Sequence, residues 1–149
     1  MDALLRLMDR VRATTRVPVP TLLEHGCSVE ADAAVLRRRF HAWISLLTDP
    51  DTADDLTLAV YEALANVVDH AYGHEGVPGP MMLRAEVTDA APTTVTVTVT
   101  DHGAWRTGTD PGTRGRGLAL VRGLTTEASV LSSPAGTTVR MRHVLPAAS

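Results

Sequence analysis

Glu62 and Asn66 stand four residues apart in the stretch from Leu56 to Tyr72. On a helix that spacing is one turn, so a carboxylate and an amide oxygen would sit side by side. Such hard oxygen donors suit magnesium, alone or bridging phosphates. Asn66 is the only Asn in a chain that has neither Gln nor Lys. Asn is a poor former of helix interiors, so its placement there calls for a reason. A bound ligand supplies one; a solvated polar face is the plain alternative. A second carboxylate, Asp101, ends the alternating run Thr94-Val-Thr-Val-Thr-Val-Thr-Asp101. It has the parity of Val95, Val97 and Val99 and therefore points to the core side, where an unpaired charge is costly. Its donor is either an internal amide or the amino group of a bound base. A third candidate is Arg114-Gly-Arg-Gly117, which opens the run Leu118 to Leu124. Glycines at a helix start let backbone N–H groups face an anion, and the positive helix end adds about 0.3–1 kcal/mol per interacting charge.

Several chemistries are excluded by what is missing. Without Lys there is no Walker P-loop, no strand lysine of a eukaryotic-type protein kinase and no Schiff base. The single cysteine, Cys27, makes neither an internal disulfide nor a CxxC metal site. A net charge of -3 and 3% aromatic residues argue against nucleic-acid binding. The expectation is a cytoplasmic protein with no signal peptide and no membrane span. His70 and His74 are four apart, but His74 lies past the expected helix and no third ligand is in sight.

The elements that must position these groups are legible in order. Residues 1–17 read as an N-terminal extension, either a helix or a linker, and residues 18–149 as one domain. Thr21 to Val29 supplies a first strand. Ala31 to Leu47 is an amphipathic helix with Val35, Leu36, Phe40, Trp43, Ile44 and Leu47 on its apolar side, and its Arg37-Arg38-Arg39 run reads as a solvated charged face. The turn Thr48 to Thr52 carries N-capping residues. The next helix, ending near Tyr72, gathers Leu56, Val60, Ala63, Leu64, Val67, Val68 and Ala71 on one side. Glu62, Asn66, Asp69 and His70 lie beside or opposite them. Met81 to Thr88 and Thr93 to Asp101 read as strands, His102 to Arg114 as a flexible loop, and Ala128 to Leu131 and Thr137 to Val144 as the last two strands. Thr137 shares a face with Val139 and Met141, toward whatever Asp101 holds.

Taken together, these motifs resemble the GHKL superfamily of ATPases and kinases. The nearest likeness is to bacterial anti-sigma-factor serine kinases, whose central helix carries Glu-Ala-x-x-Asn-x-x-x-His-Ala-Tyr, here Glu62, Ala63, Asn66, His70, Ala71 and Tyr72. The resemblance spans roughly Ser28 to His143. It implies an α+β, two-layer sandwich of the Bergerat type, with a mixed, mainly antiparallel sheet backed by three helices. It implies ATP and Mg2+ as cofactors. Asp101 would accept from the adenine amino group, with Thr137 supporting it and Gly103 letting the backbone approach the base. Asn66 would hold the magnesium. Arg114, Gly115, Arg116, Gly117 and Leu118 would surround the phosphates, and Glu62 would be the general base that deprotonates a serine. The implied partners are an anti-anti-sigma protein of the STAS type, which carries the serine, and a sigma factor that the kinase sequesters; the implied assembly is a homodimer. Two departures stand out. Trp105 occupies a position where the family expects Gly, and the lid from Ala104 to Arg114 is short. They keep a second reading open, a non-catalytic protein-binding module on the same fold with weak or no nucleotide binding.

Overall fold

The alternation of Thr and Val between Thr94 and Asp101 builds the central strand of the sheet. The computed structural model describes residues 19–73, 76–88, 90–104 and 115–147. The N-terminal extension, His74, Trp105, Arg106 and Arg114 lie outside these residues, and of Gly115 and Arg116 only the helical backbone is described. In chain order the elements are β1 (Leu22–Cys27), α1 (Glu30–Ile44), α2 (Pro50–Asn66), a π-helical turn (Val67–Ala71), β2 (Pro80–Thr88), β3 (Thr94–Asp101), α3 (Gly115–Leu124), β4 (Glu127–Ser133) and β5 (Gly136–Val144). The strands form a sheet of order β1-β2-β3-β5-β4. The expected sheet is mixed and mainly antiparallel; every pairing among the described strands is antiparallel.

One sheet face is packed and the other is open, as the period-2 pattern requires. Met81, Leu83 and Ala85 of β2, Val95, Val97 and Val99 of β3, and Val139 and Met141 of β5 are buried. Against them lie Leu36, Phe40 and Ile44 of α1, Val60, Ala63 and Leu64 of α2, and Leu118 and Val121 of α3. In a chain this poor in aromatics, Leu, Val and Ala fill most of that layer, with Phe40 and Trp43 as one tilted pair 6.0 Å apart.

Local chemistry fixes where α2 begins. Asp49 caps it: Thr52 donates its backbone N–H to Asp49 Oδ1 at 2.9 Å and its hydroxyl to Oδ2 at 2.7 Å, with Pro50 opening the helix. The Thr52 amide, then its hydroxyl, holds the Asp49 carboxyl below its ordinary 3.8. This cap is therefore fully formed above that value and fades as acid protonates it.

The far end of α2 departs from the sequence expectation of one α-helix to Tyr72. After Asn66 the backbone switches to π geometry through Ala71. A π turn inserts one residue into the helical repeat and re-aims the residues beyond it, a device common at functional sites. Here it delivers the Ala71 carbonyl and the Tyr72 ring to the end of β3.

Candidate functional site

Two clusters of the sequence-derived residues assemble, joined by α2 and its π turn. The first forms where α3 begins. An atom placed at the Cβ position of Gly117 would lie 3.3 Å from Glu62 Oε2, 3.4 Å from Asn66 Nδ2 and 3.5 Å from Asn66 Oδ1. The first turn of α3 is thus seated directly over the carboxylate and amide of α2, both half-buried. A side chain here would meet the ends of the polar pair at close range, so a Cβ is accommodated only if the Glu62 carboxylate gives by a few tenths of an ångström. Leu118, the next residue, buries its side chain in the core at 2% exposure, so its main chain is what it can offer a phosphate.

The second cluster forms at the end of β3. Asp101 is 1% exposed and Thr137 3%, and the two are directly opposite in the β3/β5 ladder. Asp101 Oδ1 accepts the backbone N–H of Gly103 at 3.0 Å and of Thr137 at 3.3 Å. Of the two donors that the sequence allowed, the internal amide is present. These amides offset part of the cost of burying a carboxylate, and they fix its orientation. Thr137 Oγ1 in turn lies 3.2 Å from Ser132 Oγ.

Glycines make this end possible. Gly103 packs against the Ala71 carbonyl so closely that a Cβ would collide with it. Gly136 adopts φ +139°, and a Cβ there would run into the Asp101 carbonyl. Both constraints act on the backbone that carries Asp101. Replacing Gly136 with Ala is expected to destabilise the protein by at least about 1–3 kcal/mol, since it adds a strained φ to a backbone collision. Gly123→Ala is the control: nothing lies within 4 Å of its would-be Cβ, so the thermal midpoint should hold or rise. Equal midpoints for the two variants would contradict this assignment.

The residues fit a nucleotide and its metal in kind. Glu62 and Asn66, in the last turn of α2, place oxygen atoms beside the first turn of α3, and oxygen donors next to a helix N-terminus are the combination that receives phosphate together with magnesium. Among the described residues no three His, Cys, Asp or Glu converge on a metal-binding geometry. Magnesium held by one or two protein oxygens plus phosphates needs no such cluster.

Two contributors belong to the sequence motifs but carry no assigned role in the sequence reading: the Gly136 backbone and the Tyr72 hydroxyl. Tyr72 is 7% exposed. Its hydroxyl donates to the Pro80 carbonyl and accepts the His102 N–H at 2.9 Å. The available signal was chemical: a buried tyrosine must place its hydroxyl on a partner. Which partner depends on the π turn, and nothing in the local sequence announces one.

Comparison with known proteins bears on this arrangement. Residues 28–143 match the family described as Histidine kinase-like ATPase domain. Among solved structures, the RsbU and RsbW domains of Rv1364c from Mycobacterium tuberculosis superpose with a TM-score of 0.69 at 24% identity, over 85% of this chain and 32% of that one. The blue-light activated histidine kinase EL346 of Erythrobacter litoralis gives 0.53 at 26% identity, over 66% of this chain and 32% of that one. Its histidine kinase domain gives 0.50 at 26%, over 63% and 45%. This chain therefore spans less than half the length of each of these structures. The first likeness is one of fold. The family match runs from just after β1 to near the end of β5, well over half of the sequence, and takes in both clusters. The chain belongs to the histidine kinase-like ATPase domain family.

Proposed function

We propose that the protein is an ATP-binding regulatory serine kinase of the anti-sigma-factor type. It transfers the γ-phosphate to a serine on a STAS-type anti-anti-sigma partner, sequesters a sigma factor, and works as a homodimer. The observation that carries the nucleotide reading is the seating of the Gly117 backbone on Glu62 and Asn66. In this reading Asn66 holds Mg2+, which would neutralise charge on the phosphates of ATP. The main chain of Gly115, Gly117 and Leu118 faces the phosphate oxygens, with Arg114 and Arg116 adding charge, and Asp101 receives the adenine amino group while the Gly103 and Thr137 amides hold its Oδ1. Glu62 takes the proton of the partner's serine hydroxyl as that oxygen bonds to the γ-phosphorus; the bond from phosphorus to the bridging oxygen breaks and ADP leaves with its electron pair.

Partner capture draws support from the groove between α1 and α2. A cavity of about 370 Å³ is lined there by Arg37, Arg38, His41, Ala42 and Thr57. Arg37 lies 5.2 Å over the Tyr61 ring, and His41 lies 3.0 Å from Asp54. Arg38 makes no ion pair among the described residues, unlike its neighbour Arg39, which holds Glu24 at 2.5 Å. A cationic groove on the helix layer suits acidic side chains of a protein partner.

Calorimetric titration with ATP, with and without magnesium, tests the reading. The parent chain should bind in both conditions and more tightly with metal. Asn66→Ala should lose the magnesium-dependent increment and keep the metal-free affinity. Equal losses in metal-free ADP titrations would contradict the role of Asn66, and no binding of any nucleotide by the parent would leave only a protein-capture module on this fold.

A further inference from the structure

The register of the sheet shows what the Tyr72 hydroxyl replaces. β2 and β3 pair antiparallel, and their terminal rung is Met81 opposite Asp101. The next opposite pair in that register is Pro80 and His102. Pro80 has no N–H, so the one ladder bond left to this rung is from the His102 N–H to the Pro80 carbonyl. Instead the Tyr72 hydroxyl lies between these two groups, accepting from His102 N at 2.9 Å and donating to the Pro80 oxygen. A phenolic hydroxyl has one donor and acceptor lone pairs, so both bonds can be made at once. The ring is wedged in place: a Cβ on Gly79 would collide with it, and Gly79 is itself tied to Ser28 by bonds of 2.8 and 3.0 Å.

The consequence falls on the neighbouring residues. With the rung held open by an intervening hydroxyl, the chain leaves the sheet at His102. The next amide, that of Gly103, turns back onto Asp101 Oδ1 at 3.0 Å. Gly103 then packs on the Ala71 carbonyl, one residue before Tyr72. We propose that Tyr72 is a positioning residue: its hydroxyl holds the β2/β3 ladder open at Pro80 and His102, aims the Asp101 carboxylate, and so sets preference for adenine over guanine. The inference rests on the nucleotide reading above. A carboxylate that is aimed at a purine's six-position favours the amino donor of adenine and disfavours the carbonyl of guanine there, which is a difference of contacts and not of total grip.

The test is Tyr72→Phe, which keeps the wedge and deletes the bridge. ATP and GTP affinities are measured by calorimetry beside the thermal midpoint. ATP affinity should fall about three- to tenfold, the value of one lost hydrogen bond. GTP affinity should fall less, so the ATP-to-GTP ratio narrows. Equal weakening of both nucleotides would show a role in stability alone and overturn the proposal, as would an unchanged ratio. A parent that binds neither nucleotide overturns the nucleotide reading and this proposal together; a parent that discriminates, matched by a variant that discriminates equally, overturns the proposal alone. Should the variant fold poorly, amide hydrogen exchange in the parent decides. The His102 and Gly103 amides should be protected, more so with ATP than with GTP; rapid exchange at both, or protection indifferent to the base, overturns it.

Discussion

Exchange of Glu62 for Gln is expected to lower phosphate transfer to a partner serine by about 10²–10⁴-fold, the usual contribution of a positioned general base. ATP affinity should change little. The reasoning starts from shape. Gln keeps the length and planarity of Glu, so the contact with the first turn of α3, whose Gly117 sits 3.3 Å from Oε2 by its would-be Cβ, is preserved. What disappears is the capacity to accept a proton. A group that acts only as base should therefore show in kcat and not in nucleotide binding. Single-turnover transfer to purified partner, run beside calorimetric ATP titration, separates the two quantities. Loss of binding and transfer together would make Glu62 a ligand-binding or structural group. Undiminished transfer would remove it from the mechanism. A parent chain that leaves no phosphoserine on its cognate partner would remove the kinase reading itself.

The contrast between these residues and Tyr72 shows where sequence reasoning is strong. Glu62 and Asn66 were legible because helical periodicity is a local property: their spacing, and the buried row of Val60, Ala63, Leu64 and Val67 beside them, come from the repeat alone. Asp101 was legible for the same reason on a strand, where parity with Val95, Val97 and Val99 fixes the face. The burial of Thr137 came from parity with Val139 and Met141. Its pairing with Asp101 is a matter of register between β3 and β5, strands separated in the chain by α3 and β4, and parity could only make that pairing plausible. The π turn was out of reach altogether. Val67 to Ala71 holds two Val, an Asp and a His, none a strong helix former, but nothing in that composition specifies a π turn, whose end meets the Gly103 backbone and the Pro80–His102 gap. The same holds for Gly136. Its place in a turn could be read, but the need for φ +139° beside the Asp101 carbonyl is a tertiary demand. Even the Arg37-Arg38-Arg39 run, which reads as a uniform charged face, divides in the fold: Arg39 pairs with Glu24, Arg37 covers Tyr61, and Arg38 faces the groove without a carboxylate among the described residues.

Asp101→Asn is the sharpest probe of the base-recognition end, and its expected result is a loss of ATP affinity of about 1.5–3 kcal/mol, or roughly ten- to a hundredfold. The structure makes this substitution informative because it isolates charge from architecture. The amides of Gly103 and Thr137 converge on one oxygen, Oδ1, and an Asn side chain can still present a carbonyl oxygen to both. The strand end should therefore keep its form, and the thermal midpoint should fall only modestly. The amide differs in losing the negative charge that strengthens every bond it accepts, and in offering an NH₂ where a carboxylate oxygen stood. An adenine amino group facing that NH₂ meets donor against donor. A guanine carbonyl in the same place meets a donor it can use, so the variant should lose preference for ATP over GTP as well as affinity. Affinity loss with the preference unchanged would mean that the carboxylate steadies the loop and does not touch the base. Retention of parental ATP affinity would remove Asp101 from nucleotide recognition, and its burial at 1% exposure would then be explained by the two amides it already accepts.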